Sequence, residues 1–390
     1  MVKFLPNEMD GTLIMNNMQD AVVSVSERSL EVEERGTSIP SCGLVSVLIT
    51  THNSASVLPD CLNSLALQDY PSLEVIVVDN ASQDGTRELL KPLEGKHRVI
   101  YNETNLGFAA SQNQGIRSAQ GEWILSLNPD VMLGRNFLSE LVSAAEKHPR
   151  VGVVCGKLLR WDPQGNPRRT NVVDSAGIYF LHNLRHLDRG SEEIDRGQFD
   201  QPAYVFGATG AAALYRRKLI EDISVRGEFY DEDFFVYRED ADVAWRAQLM
   251  GWQCLYTPQS VGWHIRRVTP ARLKELPAEI NCHCVKNRFL MRAKNISLPF
   301  YLRLLFPVTW RDCMILAYSL LCDRKLLPAF HHAWGRRSAI WQKRKLIQSH
   351  RRVSDAELAK WFSDRPTTFS LEPKVEQETL PLAWRSQGQA

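Results

Sequence analysis

The stretch Glu122-Trp123-Ile124-Leu125-Ser126-Leu127-Asn128-Pro129-Asp130 decides the fold. Trp123, Ile124, Leu125 and Leu127 make the apolar, β-rich run of an inner strand, and Gly121 precedes it. Pro129 has no N–H to give to a ladder, so the strand ends there and Asp130 is thrown out at its edge. In open α/β sheets, ligands sit just beyond the carboxyl ends of the strands. Asp130 therefore stands where a carboxylate can hold a metal. The plain alternative is a turn aspartate capping a following helix that begins near Gly134.

Working outward, Leu44–Ile49 is another buried-strand run, ending in Thr50-Thr51-His52-Asn53. Val57, Leu58, Cys61, Leu62 and Leu65 then recur at helical spacing. Leu73–Val78 is a second strand ending in Asp79-Asn80, with a turn at Ser82–Thr86 and a helix from Arg87. A short strand, Arg98–Tyr101, leads through Asn105-Leu106-Gly107-Phe108 into a helix carrying Ala109, Ala110, Asn113 and Ile116. Strands alternating with helices of this length imply parallel strands joined by right-handed crossovers, hence a doubly wound sheet. The polar strand ends Thr50/His52, Asp79/Asn80 and Asn128/Asp130 then share one sheet edge and are expected to converge. No GxGxxG follows the first strand and no Gly-rich GK[ST] loop occurs, so a diphosphate here must be held another way, and a metal on Asp130 would do it.

The 390 residues are enough for one large and one small unit, and 44% apolar with 24% charged residues is ordinary for a soluble protein. The net charge of +2 hides an asymmetry: Arg324–Arg352 holds nine Lys or Arg and no acid, whereas Asp222–Asp242 is acidic. No nucleic-acid-binding module accompanies the basic stretch. The eight cysteines are scattered without a CxxC pair, which fits a reducing compartment, and Cys282-His283-Cys284 lacks the second half of a zinc site. Residues 1–42 lack the order of a signal peptide and read as a loose tail.

Beyond Val151, Gly207-Ala208-Thr209-Gly210-Ala211-Ala212-Ala213-Leu214 is a small-residue run that either admits a ligand close to the backbone or packs a strand on a helix. Phe229–Asp242 mixes aromatics with carboxylates, placing some acids near apolar walls where their pKa rises towards that of a useful base. Asp240 and Asp242 fall in the first turn of a helix closed by Gly251, where a simple preference for N-terminal acids is the alternative. His264, after Gly262-Trp263 and before Arg266-Arg267, suits a metal or diphosphate site unless it is structural.

Val45–Asn53, Val75–Thr86, Asn105–Gly115, Glu122–Val131, Gly207–Arg217 and Phe229–Arg246 resemble, in order, the segments of family 2 glycosyltransferases, with rhamnosyltransferase-like and galactofuranosyltransferase-like members as the nearest branch. The resemblance covers roughly residues 43–295. It implies a GT-A nucleotide-diphospho-sugar transferase fold, a Rossmann-like doubly wound mixed sheet, with a C-terminal helical extension. It also implies inverting transfer from a nucleotide-diphosphate sugar to a hydroxyl; the leading expectation for the acceptor is a lipid-linked or surface glycan, extended non-processively. By that resemblance Thr50, His52, Asp79, Asn80, Asn113 and Asn128 bind the nucleotide sugar. Asp130 and His264 hold Mg2+ or Mn2+, and Asp240 is the general base. Glu239, Gly210 and Trp245 lie on the acceptor side. The family's Asp-x-Asp motif reads Asn128-Pro129-Asp130 here, which leaves the metal role to Asp130.

The expected organisation is a tail at 1–42, a catalytic domain at 43–275, an amphipathic helical region at 276–354 and a flexible tail at 355–390. Within Leu298–Cys322 the longest uncharged run is Cys313–Cys322, far short of the ~20 residues a spanning helix needs. Apolar residues mixed with Arg, Trp and Tyr suit helices lying in a membrane interface, which would put the protein on the cytoplasmic face. A small helical subdomain or an oligomer contact is the alternative. The Gln-x-x-Arg-Trp motif of processive synthases is absent. Three competing readings remain: a soluble or protein acceptor, a catalytically silent nucleotide-sugar-binding scaffold, and a nucleotidylyltransferase. The last would want a Gly-rich loop near the first strand.

Overall fold

In the computed structural model, which describes residues 43–165, 168–266 and 277–371, the alternating runs form a parallel block. The expected tail at 1–42, Arg267 and residues 372–390 lie outside the described residues. Val45–Thr51 (β1), Leu73–Asn80 (β2), Arg98–Asn102 (β3) and Trp123–Leu127 (β4) pair in the order β3-β2-β1-β4. Leu58–Ala66 (α1), Thr86–Leu90 (α2) and Phe108–Ser118 (α3) connect them. Val45, Val47 and Ile49 face one apolar cluster with Leu58, Cys61 and Leu62, while Leu48 faces a second with Ala109. Burial on both faces is why these strands read as continuous apolar runs rather than alternating ones. The strand order reverses at β1, so the crevice beyond the carboxyl ends of β1 and β4 is the switch point where such sheets bind ligands.

After Asp130 the chain departs from expectation. Val131–Leu133 (β5) is a buried strand, and the helix waits until Phe137–Glu146 (α4). Three consecutive apolar residues are better buried as an edge pairing than as the first turn of a helix. Then follow Val151–Trp161 (β6), Arg169–Ser175 (β7), Ile178–Phe180 (β8), His186–Asp188 (β9), Ala203–Val205 (β10), Ala212–Arg216 (β11), Arg217–Ile223 (α5), Glu239–Leu249 (α6) and Gln253–His264 (β12). β11 runs antiparallel to both β4 and β6, which makes the sheet mixed. β5 pairs antiparallel with the far end of β12, setting Val131 opposite His264. That pairing carries a residue 134 positions downstream to the edge of Asp130.

The C-terminal elements correct two expected boundaries. Ala278–Asn295 (α7) belongs to the body built around the sheet: Lys286, Asn287, Arg288, Lys294 and Asn295 are buried on it. Leu298–Arg303 (α8), Leu305–Leu321 (α9), Leu327–Gly335 (α10) and Arg337–His350 (α11) follow. Chain order continues past 355 through Asp355–Ala359 (α12) to Phe369–Ser370 (β13), which pairs with β10. Phe362 packs into the core against Trp245, Phe180 and Phe300, with ring centroids 5.0–5.4 Å apart. The region looked patternless because it fills gaps in a core built by other elements. Among the described residues no single helix is long and apolar enough to cross a membrane; Leu305–Leu321 and Arg324–Gly335 pass only as a pair bent by 119°.

Candidate active site

Asp130 and His264 meet through the β5–β12 pairing. The His264 Nε2 lies 3.4 Å from Asp130 Oδ1, and its Nδ1 lies 2.8 Å from Asp174 Oδ2. Asp174, fully buried on β7, also pairs with Arg266 at 2.7 Å and Arg160 at 2.7 Å. Burial alone would push the His264 imidazole down, but Asp174 and Asp130 outweigh it and hold its pKa up at about 9. Burial would raise Asp174, but His264 and Arg266 bring it down to about 2. A histidine whose far nitrogen is held by a carboxylate is the usual way proteins orient a metal-binding imidazole. Among the described residues no cluster of three His, Cys, Asp or Glu could hold an ion. Asp130 and His264 would supply two ligands to a Mg2+- or Mn2+-type ion only with the imidazole proton released, the remaining ligands coming from substrate phosphates and water.

Asp240 and Glu239 open α6, and the backbone before them is unusual. Phe235, Tyr237 and Arg238 have φ of 66°, 69° and 70°, a region costing about 1–3 kcal/mol for each such residue. The buried Asn287 of α7 holds that loop by donating its Nδ2 to the carbonyls of Phe234, Val236 and Tyr237 at 2.8–2.9 Å. Asp240 Oδ2 accepts from the Gly210 N–H at 2.9 Å and Oδ1 from the Ala241 N–H at 2.7 Å. Both readings of the small-residue run therefore apply, at different glycines. A Cβ on Gly207 would sit 2.2 Å from Ala244, so Gly207 serves strand–helix packing, while Gly210 presents its N–H to Asp240. Burial raises the Asp240 pKa; the Gly210 N–H opposes this and Asp188 adds to it.

Glu239 is buried, its Oε2 has no hydrogen-bond partner, and burial together with Asp240 raises its pKa to about 8. The sign of the consequence is fixed. The folded state holds this proton more tightly than the unfolded chain, so the associated stabilisation is full below pH 4.5 and lost as pH rises through about 8. Glu239→Gln is expected to melt close to the wild type at pH 5 and above it at pH 9, read by thermal unfolding. A difference of the same size at both pH values would contradict this.

These groups line one cavity of about 400 Å3 that contains Asn128, Asp130, Gly210, Glu239, Asp240 and His264. Arg238 and Arg266 are in its wall. The first-half candidates lie along the same sheet edge but do not line this cavity. His52 is exposed and its Nδ1 sits 2.7 Å from the Asn80 carbonyl. Thr50 accepts from Gln112 at 3.2 Å. Asp79 is fully buried and accepts from Thr51, Ser82 N–H and Arg87, and Asn80 bonds Asn105, Asn102 and the Leu106 N–H. Two expectations need correcting. Asn113 is buried, with its amide committed to Tyr230 and Glu232, because α3 needs a polar clamp on the acidic loop. Trp245 is fully buried in the aromatic cluster with Phe180 and Phe362 and cannot reach an acceptor.

Sequence reading passed over Asp174, Asp188 and His186. A carboxylate directly after Val172-Val173 in a strand, as Asp174 is, was the available signal. Asp242, by contrast, is structural: it is fully buried and binds Arg246, Lys294 and Asn295.

Residues 46–224 match the model of Glycosyl transferase family 2. Over 223 residues, 56% of this chain, the sequence is 24% identical to a poly-beta-1,6-N-acetyl-D-glucosamine synthase of Staphylococcus epidermidis, and it spans 49% of that curated relative's length. Among solved structures, a mannosyltransferase of Pyrobaculum calidifontis in complex with GDP-Man and Mn2+ is similar at 20% identity and a TM-score of 0.45, over 84% of this chain and 86% of that one. TarS of S. aureus is similar at 19% identity and a TM-score of 0.47, over 79% and 52%.

Proposed function

We propose that this chain, which carries a family 2 glycosyltransferase domain in a GT-A fold, transfers a sugar from a nucleoside-diphosphate donor to a hydroxyl of a glycan acceptor, with inversion. The observation that carries the reading is Asp240. It is a carboxylate with a raised pKa at a cavity wall, aimed by the Gly210 N–H, in the same cavity as Asp130 and His264. Asp240 takes the proton of the acceptor hydroxyl as that oxygen attacks the anomeric carbon from the face opposite the diphosphate. Asn128, at the end of β4, is positioned to hydrogen-bond a donor hydroxyl. Arg266, tied to Asp174 and Asp188, keeps a fixed positive charge at the diphosphate end. Asp130 and His264 would hold a divalent cation, which when bound supplies neutralisation of charge on the departing diphosphate.

The test is a panel of nucleotide sugars, including dTDP-rhamnose and UDP-GlcNAc, screened for donor hydrolysis with and without Mn2+. One donor should be consumed in a metal-dependent way, and Asp130→Ala should abolish the Mn2+ enhancement of nucleotide binding. A Mn2+ enhancement that survives undiminished in that variant would remove Asp130 from the role. Transfer of one or a few sugars, rather than polymerisation, is the reading favoured by the missing Gln-x-x-Arg-Trp motif.

The acceptor is proposed to be presented at a membrane surface. α9 turns Val308, Arg311, Asp312, Ile315 and Ser319 inward, while Phe306, Trp310, Met314 and Leu321 are 54–84% exposed at helical spacing on the other face. A soluble helix normally puts its polar face outward. Arg324, Lys325, Arg336 and Arg337 flank this surface, and basic residues near anionic lipid are worth about 1 kcal/mol each. Deleting everything after 296 would not test this, because Lys343, Ile347 and Phe362 are core residues. Instead, Phe306→Ser/Trp310→Ser/Leu321→Ser is expected to shift the protein from pellet to supernatant with phosphatidylglycerol vesicles. Unchanged partitioning would favour the soluble-acceptor reading.

A further inference from the structure

Four C-terminal helices enclose a second cavity, larger than the one at Asp240. α7, α8, α10 and α11 surround about 590 Å3, within the range of small-molecule sites, and the two cavities share no lining residue. The space follows from side-chain size. Phe289 and Phe330 hold α7 to α10 with ring centroids 5.5 Å apart. One turn further along each helix, Ala293 and Ala333 put only methyl groups into the gap. Leu290, Ile296 and Ile340, each at most 8% exposed, form its floor, whereas Leu298, Trp334 and Trp341 stand 58–68% exposed at its opening.

The polarity of this cavity is one-sided. Among the described residues no Asp or Glu lines it, and its charges are Arg337 and Arg344. Arg337 donates to the Trp334 carbonyl at 3.2 Å and lies over the Trp334 ring, 5.0 Å from its centroid. Arg344 donates through Nη1 to the Ala293 carbonyl at 2.8 Å and to the Ile296 carbonyl, and lies 5.9 Å from the Trp341 ring centroid. Backbone carbonyls and tryptophan faces thus hold both guanidinium groups at the rim, and no described carboxylate pairs with either. Water finds few polar partners on such walls, so an apolar cavity takes apolar ligands instead. Tryptophan suits a boundary with one side apolar and the other wet. A second copy of the chain fits poorly, because a two-fold interface sets a patch against itself. Here that would bring two basic rims together, in a stretch, 324–352, that holds no acid.

We propose that this cavity takes one hydrocarbon chain of an anionic membrane lipid, with the head group on Arg337 and Arg344 at the rim. The lipid is a ligand here and not a substrate, since Asp130 and Asp240 line the other cavity. The proposal is also separate from the membrane reading of α9, because no α9 residue lines this cavity. Contact through α9 needs only a bilayer surface, whereas a closed-ended cavity holds a chain drawn out of one and discriminates chain length. Each methylene buried in it tightens binding about fourfold, until the cavity is full.

The experiment uses the full chain, titrated calorimetrically with octanoate, decanoate, dodecanoate and tetradecanoate below their micelle-forming concentrations, and with dodecyl maltoside. Affinity should rise about fourfold per methylene and then level off. Ala293→Phe, at an exposed helix position, should weaken dodecanoate at least tenfold without moving the melting temperature. Arg337→Gln should weaken dodecanoate several-fold and leave dodecyl maltoside unchanged. On phosphatidylglycerol vesicles with brominated chains, tryptophan quenching should fall in Ala293→Phe while pelleting stays the same, because α9 is intact. Chain binding retained in the α9 triple variant would support the proposal even where pelleting is lost. An affinity independent of chain length, or undiminished binding in Ala293→Phe, would overturn it. Equal weakening of the maltoside by Arg337→Gln would overturn the assignment to an anionic lipid. A dimer in ultracentrifugation that Ala293→Phe dissociates would give the cavity to a second copy and overturn it as well.

Discussion

Asp240→Asn should lower transfer by about 10²–10⁴, the usual worth of a positioned general base, and leave nucleotide binding within a few-fold of wild type. The split is expected because Asp240 does not share a hydrogen bond with Asp130, His264 or Asn128. The substitution is nearly isosteric, but both carboxylate oxygens accept from backbone N–H groups, and an amide can satisfy only one of them. A modest loss of stability, about 1 kcal/mol for one displaced hydrogen bond, should accompany the loss of rate. The measurement is single-turnover transfer beside UDP titration. Transfer at the wild-type rate would take the base role from Asp240, and Glu239, the preceding residue in the same cavity lining, would be the next candidate.

The largest expected effect on stability lies behind that site. Lys294 pairs with Asp231 and with Asp242 at 3.0 Å, and Lys343 pairs with Asp231 at 2.6 Å, Glu228 at 3.0 Å and Asp233 at 3.2 Å. Asp242 is further bound by Arg246 at 2.9 Å and Asn295 at 2.8 Å. Burial would raise the Asp231 carboxyl, but Lys294 and Lys343 hold it far below the usual range. Lys294→Met removes one cation from between two buried carboxylates and should cost about 3–5 kcal/mol, the range for breaking a buried pair from one side. Urea unfolding at pH 7 reads it directly. Adding Asp231→Asn to Lys294→Met should recover part of the loss, because the uncompensated charge is removed. A wild-type midpoint in the single variant would show that the network does not hold α7 to α6. The sign with pH follows from the depressed pKa: this stabilisation is present above the unfolded carboxylate range and lost as the solution is acidified through the folded value.

The two predictions separate three aspartates within twelve residues. Asp231 and Asp242 are structural, and Asp240 faces the cavity. Nothing local distinguishes them: all three stand among aromatics and acids near the start of one helix. The distant partners that commit Asp231 and Asp242 come from 52 to 112 residues downstream, on α7 and α11. The same holds for α7 itself. Its mixed Lys, Asn and Arg composition reads as an amphipathic surface helix, yet those residues point inward to the strained loop and the acids of α6.

By itself the sequence determined the parallel block and its ligand edge. Uninterrupted apolar runs can only be strands buried on both faces, and the proline after Asn128 can only end one. It therefore marked Asp130 as a candidate, and the resemblance added Asp240 and His264. Only the tertiary structure decided that Asp130 meets His264, since that depends on β5 pairing with β12 across more than a hundred residues. It also decided that Asp174 orients the imidazole, and that Asn113 and Trp245 are committed to packing. Periodicity reports which side of an element is buried; it does not report which distant charge is waiting there.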